Sequence, residues 1–215
     1  MKRILSILLP TVLLFITQGN AQLLKNFGVK LAFTSASQTY DYPNPPWPGF
    51  GPDVSRRIGV NAAIYAEWLN VPFFSVVTQI EYAQRGMAQQ IAITGDSPEI
   101  IRMETRYNRL DYVSLPIFLK ASVPTEVVSP YVLLGPRVDL LLSYRDEFVI
   151  GRSIYADFKK MTWGGEAGVG LEFNKLLPGS VCLEFRYNVD FMNSYDTDVL
   201  KVRNNAYDIW LGVAF

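Results

Sequence analysis

From residue 27 to the C-terminus the chain alternates apolar and polar residues with a period of two, in eight stretches rich in β-branched and aromatic side chains. Period-two alternation predicts strands, here 27–36, 58–69, 73–86, 107–121, 130–143, 161–173, 181–191 and 206–215. The connections alternate in length. Those at 37–57, 87–106, 144–160 and 192–205 are long, and those at 70–72, 122–129 and 174–180 are short. An even number of antiparallel strands with every long loop at one rim predicts an all-β chain forming an eight-stranded up-and-down barrel.

The two faces of each strand differ sharply. One carries Phe27, Val29, Leu31 and Phe33, then Val60, Ile64 and Trp68, and continues in the same phase through Trp163, Phe185 and Tyr207 without a charge. The opposite face carries Lys30, Glu67, Glu81, Lys120, Arg137, Asp139, Glu166, Glu172, Glu184, Arg186, Asp190 and Asp208. An eight-stranded barrel encloses little more than its own side chains, so the bulky apolar face suits the outside and the charged face, interspersed with Gly28, Ala32, Ala63, Gly135, Gly170 and Gly212, suits the lumen. An apolar outer wall is a wall for lipid. Aromatics recur at both strand ends, with Phe27, Trp68, Phe73, Phe74, Phe173 and Phe215 toward the short turns and Tyr82, Tyr107, Tyr144, Trp163, Phe191 and Tyr207 toward the long loops, as interfacial girdles require. The reading is therefore a transmembrane barrel, and hydrocarbon demands that it close, because an open edge leaves backbone groups unpaired. Pro116 and Pro136 fall within predicted strands and lead us to expect a bulge at one or both.

Composition narrows the function classes. Twenty basic residues balance twenty acidic ones, so nothing favours a nucleic-acid backbone as partner. Histidine is absent, which removes the commonest general base and the usual Ser-His and Cys-His pairs; no catalytic residue, metal ligand or cofactor is expected. Cys182 is the only cysteine and falls on the inward phase, as a small filler. Asp196 and Asp198 in the last loop read as a solvated turn rather than a cation site.

At the N-terminus Lys2 and Arg3 precede the apolar run 4–16, and Gly19, Asn20 and Ala21 place small residues where a signal peptidase cuts. Residues 1–21 are expected to be an export signal, leaving 22–215 as one barrel domain. A transmembrane anchor is the competing reading, disfavoured by the short run and by Pro10.

Residues 110–120 (LDYVSLPIFLK), 130–136 (PYVLLGP) and the glycine-rich 164–170 (GGEAGVG) resemble the small outer-membrane β-barrel proteins of Bacteroidota, the porin-family or PorT-like barrels, across the whole mature chain. The resemblance implies a Gram-negative outer-membrane location. It also implies that Tyr207, Ile209, Leu211, Val213 and Phe215 form the terminal signal read by the barrel assembly machinery. Members of that family are linked to protein secretion, so a secretion-system or surface-protein partner is implied beside outer-membrane lipid, and no catalytic residues carry over.

Three functions remain open on the sequence. The first is a non-enzymatic barrel with a filled lumen and long outer loops, in which Tyr40, Tyr42, Trp47 and Phe50, held by surrounding prolines, present a recognition surface. The second is a narrow, mildly cation-preferring channel along the lumen charges. The third is a secreted, soluble lipocalin-like barrel binding an apolar ligand, which needs the two faces exchanged.

Overall fold

The computed structural model describes residues 23–69, 71–94, 100–147, 154–177 and 179–215. Among these, eight long strands form the fold: β1 (Leu24–Asp41), β2 (Arg57–Trp68), β3 (Phe74–Thr94), β4 (Ile100–Ser122), β5 (Val128–Asp146), β6 (Met161–Leu177), β7 (Gly179–Asp190) and β8 (Lys201–Ala214). Each pairs antiparallel with its neighbours in sequence, and β1 pairs β8 from Gly28↔Ala214 to Asp41↔Lys201, which closes the ring. Two-residue strands at Val54–Ser55 and Tyr195–Asp196 add to β3 and β8 above the long-loop rim. No helix of the described residues is long and apolar enough to cross a membrane.

Burial alternates with the pleat. In β1, Gly28, Lys30, Ala32, Thr34, Ala36 and Gln38 are buried, while Leu31 and Phe33 are 68% and 71% exposed. The outer wall is an apolar belt running through Val60, Ile64, Leu119, Leu134, Val169, Phe185 and Leu211. The faces are therefore arranged for lipid outside and polar groups inside, the reverse of what a soluble lipocalin-like barrel needs. At the short-turn rim Phe27 and Phe215 exchange backbone hydrogen bonds and bring their rings to 6.2 Å; toward the other rim Trp163 meets Phe191 edge-on at 5.5 Å.

The strands outrun the sequence expectation at the long-loop rim. Residues 87–106 read as a loop, yet β3 and β4 pair as far as Thr94↔Ile100; β1 continues to Asp41, β5 to Asp146, and β8 begins at Lys201. Above the belt an outward residue has no need to be apolar, so Ser35, Ser37 and Thr39 follow Phe33. The amphipathic signal fades while the ladder, which satisfies the backbone, continues.

The bulge expected at Pro116 or Pro136 is not there. The β4–β5 register is the same before and after Pro116, from Pro116↔Arg137 to Leu119↔Leu134, and the shift lies at Asp111/Tyr112. What each proline does is interrupt pairing: Ile117 and Phe118 have no ladder partners on the β5 side, and the β3–β4 ladder skips Gln79 and Ile80. A missing N–H removes a bond without adding a residue, so the register survives.

The lumen also holds more bulk than expected. Trp210, Tyr112, Phe118, Tyr131 and Tyr65 all point inward. Small residues opposite make room: Trp210 packs on Ala32 and Ala63, and the Tyr131 ring lies over Gly170, where a Cβ would collide with it.

Candidate functional site

All twelve charged residues singled out above lie on the inward face, eleven of them nearly inaccessible and Glu172 slightly less buried. Arg85, on the same phase as Glu81 and four residues on, joins them; that parity was the signal for it. These groups form successive layers. Nearest the short turns, Lys120 pairs with Glu67 at 3.0 Å and Glu172 at 2.7 Å, and Lys25 reaches Glu67 from the rim at 2.7 Å. Above them Lys30 meets Glu184 at 2.6 Å, and the Tyr131 hydroxyl donates to the same carboxylate at 2.5 Å.

Arg186 holds the middle. Its guanidinium pairs with Glu184 and, at 3.0 Å, with Glu166, donates to Gln79 at 3.1 Å, and is flanked by the Phe118 and Trp210 rings, each 4.9 Å away. Carboxylates outnumber cations here. Glu81 has both oxygens without a hydrogen-bond partner, and Glu166 and Asp208 each have one; the three repel one another and are restrained by Arg85 and Arg186. Higher still, Arg137 pairs with Asp139 at 3.0 Å and with Asp190, and donates to Asn188 at 2.7 Å, which in turn donates to Asp208 at 2.6 Å.

The ladder is dense. Between Lys30, Tyr65, Lys120, Tyr131 and Glu184 a cavity of about 10 Å³ remains, room for about one water. An apolar concavity of about 890 Å³ lies on the outer wall, against Phe74, Val132, Val169, Leu171, Leu183 and Phe185. Those side chains belong to the belt, so this is a groove in the belt and not a chamber for a polar ligand.

A plug that sequence reasoning missed closes the long-loop end. The 3₁₀ turn Ile154–Asp157 follows β5 and folds back over the mouth, placing Tyr155 and Phe158, 4.7 Å apart, against Ala83, Leu110, Tyr112 and Val202. The Tyr155 hydroxyl lies 2.9 Å from that of Tyr40 and donates to Gln38 at 2.8 Å. Nothing in period-two reasoning finds such a turn, because its apolar residues are too few to show a period. Burial, reinforced by the adjacent Tyr40 phenol, pushes the Tyr155 phenol well above the ordinary tyrosine range. The folded pKa is raised, so the stability this group contributes is present below the unfolded value, about pH 10, and is lost as pH climbs above it. Difference absorbance of wild type against Tyr155→Phe is expected to show one tyrosine that resists ionisation until the plug opens; a phenol titrating at its free value would contradict the buried placement.

The four loop aromatics separate into two groups. Trp47, Phe50 and Tyr42 form a cluster, with Phe50 edge-on to both partners at 4.9 Å and Trp47 60% exposed. Tyr40 is not with them: it is a residue of β1 on the inward phase, turned onto the plug. Tyr207, Ile209, Leu211 and Val213 share the outward face of β8, and exposed Phe215 follows its end. Asp196 is held by Asn193 at 3.2 Å and faces Lys159 at 3.7 Å, the partners of an ordinary surface turn. Cys182 lies in the lumen beside Gly212.

A family model described as outer membrane protein beta-barrel domain matches residues 19–196. A search of curated proteins returns no match. Among solved structures, the outer membrane protein OprG from Pseudomonas aeruginosa is 11% identical with a TM-score of 0.50, covering 90% of this chain and 97% of its own. Ail, the attachment invasion locus protein of Yersinia pestis, is 16% identical with a TM-score of 0.46, covering 88% and 98%. The outer membrane protease OmpT from Escherichia coli is 8% identical with a TM-score of 0.46, covering 89% and 96%. At 11% identity the likeness to OprG is one of fold alone.

Proposed function

The chain belongs to the outer membrane protein beta-barrel domain family, and on that premise we propose that it is a sealed, non-enzymatic barrel of the outer membrane that works through its extracellular face. Its role in this reading is structural, binding or accessory to secretion. The observation that carries the proposal is the filled lumen: paired charges occupy each layer from Lys120 to Arg137, and the Tyr155–Phe158 plug covers them. Chemistry on a solute needs access, and the lumen is tightly packed beneath its plug. The exposed aromatic cluster of Tyr42, Trp47 and Phe50 is the recognition surface of this reading, since prolines on either side reduce the ordering cost of presenting it.

Finer parts of the reading rest on sequence. Residues 1–21, outside the described residues, serve as the export signal. The outward face of β8, ending in Phe215, is the signal for the barrel assembly machinery, and the motifs at 110–120, 130–136 and 164–170 place the chain near the PorT-like barrels of Bacteroidota. A secretion-system or surface-protein partner engages the long loops.

The narrow channel is the second reading, favoured by the carboxylate excess around Glu81, which would draw cations. Planar-bilayer recordings separate the two. Wild type is expected to give no stable steps, and so is Tyr155→Ala, because the ion-pair layers lie beneath the plug. Steps that vanish on changing Arg137 or Glu184 would establish conduction through the lumen and end the sealed reading.

A further inference from the structure

Above the long-loop rim β3 keeps a bare edge. Val54 and Ser55 add to it antiparallel, through Val54↔Gln89 and Ser55↔Ala88, and the Ser55 hydroxyl donates to the Ala88 carbonyl at 3.0 Å. The added strand stops there for a covalent reason. Continued upward, it would set Asp53 opposite Gln90 and Pro52 opposite Ile91, and proline has no N–H to give. β3 itself goes on, paired on its other side with β4 as far as Thr94↔Ile100. Among the described residues, no strand pairs with residues 90–94 on the side that Val54 leaves.

Exposed edges are normally guarded by charge, proline or a bulge, because their unpaired N–H and C=O groups recruit other strands. β4 is guarded. Arg102, Glu104 and Arg106 stand at every second residue, the Tyr107 N–H is taken by the Glu147 carboxylate at 3.0 Å, and Arg106 donates to the Glu147 carbonyl oxygen at 2.9 Å. The one irregularity of the ribbon, at Ile93/Thr94, puts its extra residue on β4 as well. β3 has no such protection: from Ala88 to Thr94 it reads AQQIAIT, without charge, proline or glycine. A short, uncharged, strand-prone segment is the composition that accepts a further strand most readily.

The chemistry of the edge selects its occupant, since alternating backbone donors and acceptors match an extended polypeptide. Side chains refine the match. Ile91 and Ile93 share one face, opposite Glu104 and Arg102 of β4, and Gln90 and Ala92 share the other. A fitting strand therefore carries apolar residues beside the two isoleucines and small or polar residues between them. A second copy in the same membrane would offer its own β3 edge in the parallel sense, whereas Val54–Ser55 joins this edge antiparallel.

We propose that residues 90–94 of β3 are a docking edge for an extended, amphipathic segment of a partner protein, which adds antiparallel in line with Val54–Ser55. The proposal rests on the extracellular reading above and names the kind of partner that reading needs. The full chain in phosphatidylcholine nanodiscs tests it, titrated into a labelled short peptide of alternating valine and threonine whose fluorescence anisotropy reports binding. Wild type is expected to bind this peptide, and to bind its fully N-methylated form about tenfold more weakly, because methylation removes the backbone donors. Ile93→Lys, which gives β3 the guard it lacks, is expected to weaken binding about tenfold. Met103→Lys, at an exposed position of the same arm on β4, is expected to leave it unchanged. The methylated peptide leaves the protein unaltered, so the test stands even where a variant disturbs the arm. No binding by wild type, equal binding of the methylated peptide, or equal binding by Ile93→Lys would overturn the docking edge. Barrels that associate with one another without peptide, through an edge that Ile93→Lys blocks, would overturn it in favour of a second copy. A chain that enters the discs and ignores the peptide overturns the docking alone; a chain missing from the disc fraction overturns the membrane reading and the docking together.

Discussion

Replacing Arg186 with methionine is expected to destabilise the barrel by about 3–5 kcal/mol, the cost of stranding buried charges. The guanidinium is fully buried, pairs with Glu184 and Glu166, and lies between the Phe118 and Trp210 rings. Methionine keeps much of the packing between those rings, so the loss is chiefly electrostatic. Glu184 retains Lys30, whereas Glu166 loses the closest cation to it, and its second oxygen already lacks a partner. Adding Glu166→Gln should therefore recover part of the loss. Urea unfolding in micelles, followed by tryptophan fluorescence, reads both effects, and a shift below about 1 kcal/mol would mean that water screens the lumen far more than its packing implies.

Leu211→Arg is expected to cost about 2–4 kcal/mol, the range for a cation near the middle of a lipid-facing strand. Leu211 is 59% exposed and pairs with Leu31 on β1 and Leu183 on β7, so any arginine there looks straight out of the belt. In an aqueous barrel the same change would be a surface substitution worth less than about 0.5 kcal/mol. Ser37→Arg, outward on β1 but above the belt, is the control and should be close to neutral. Equal stability of Leu211→Arg and wild type in lipid would count directly against the belt.

The parts of this fold that sequence made legible are those governed by one strong periodic force. Within the belt every outward residue must be apolar, so the phase of Leu31, Leu119 or Leu211 is forced and the ionic face is fixed with it. Where that force ends, so does the signal. β3 and β4 run above the belt with the pair Gln90 and Thr105 on the phase that is apolar below, and the pattern reads as loop. The interior is harder still, because a lumen accepts whatever fills it: Trp210 and Arg186 share one space, and only the register shows Ala32 and Ala63 small enough to admit the indole. Tyr40 was assigned to the loop for its neighbours in sequence, yet its partner is Tyr155, 115 residues away.

The β3–β4 hairpin has one more effect. Beyond the pair Gln89↔Arg106, where Val54 still adds a third strand, five further pairs from Gln90↔Thr105 to Thr94↔Ile100 stand as a two-stranded ribbon. At the usual rise per residue that arm projects roughly 17 Å outward. On a bacterium the first things an antibody, a phage or a protease meets are those that clear the sugar coat. If the long loops face outward, as proposed above, this ribbon is the mast of the molecule, and a short tag grafted between β3 and β4 would report the protein on living cells while leaving the wall below undisturbed.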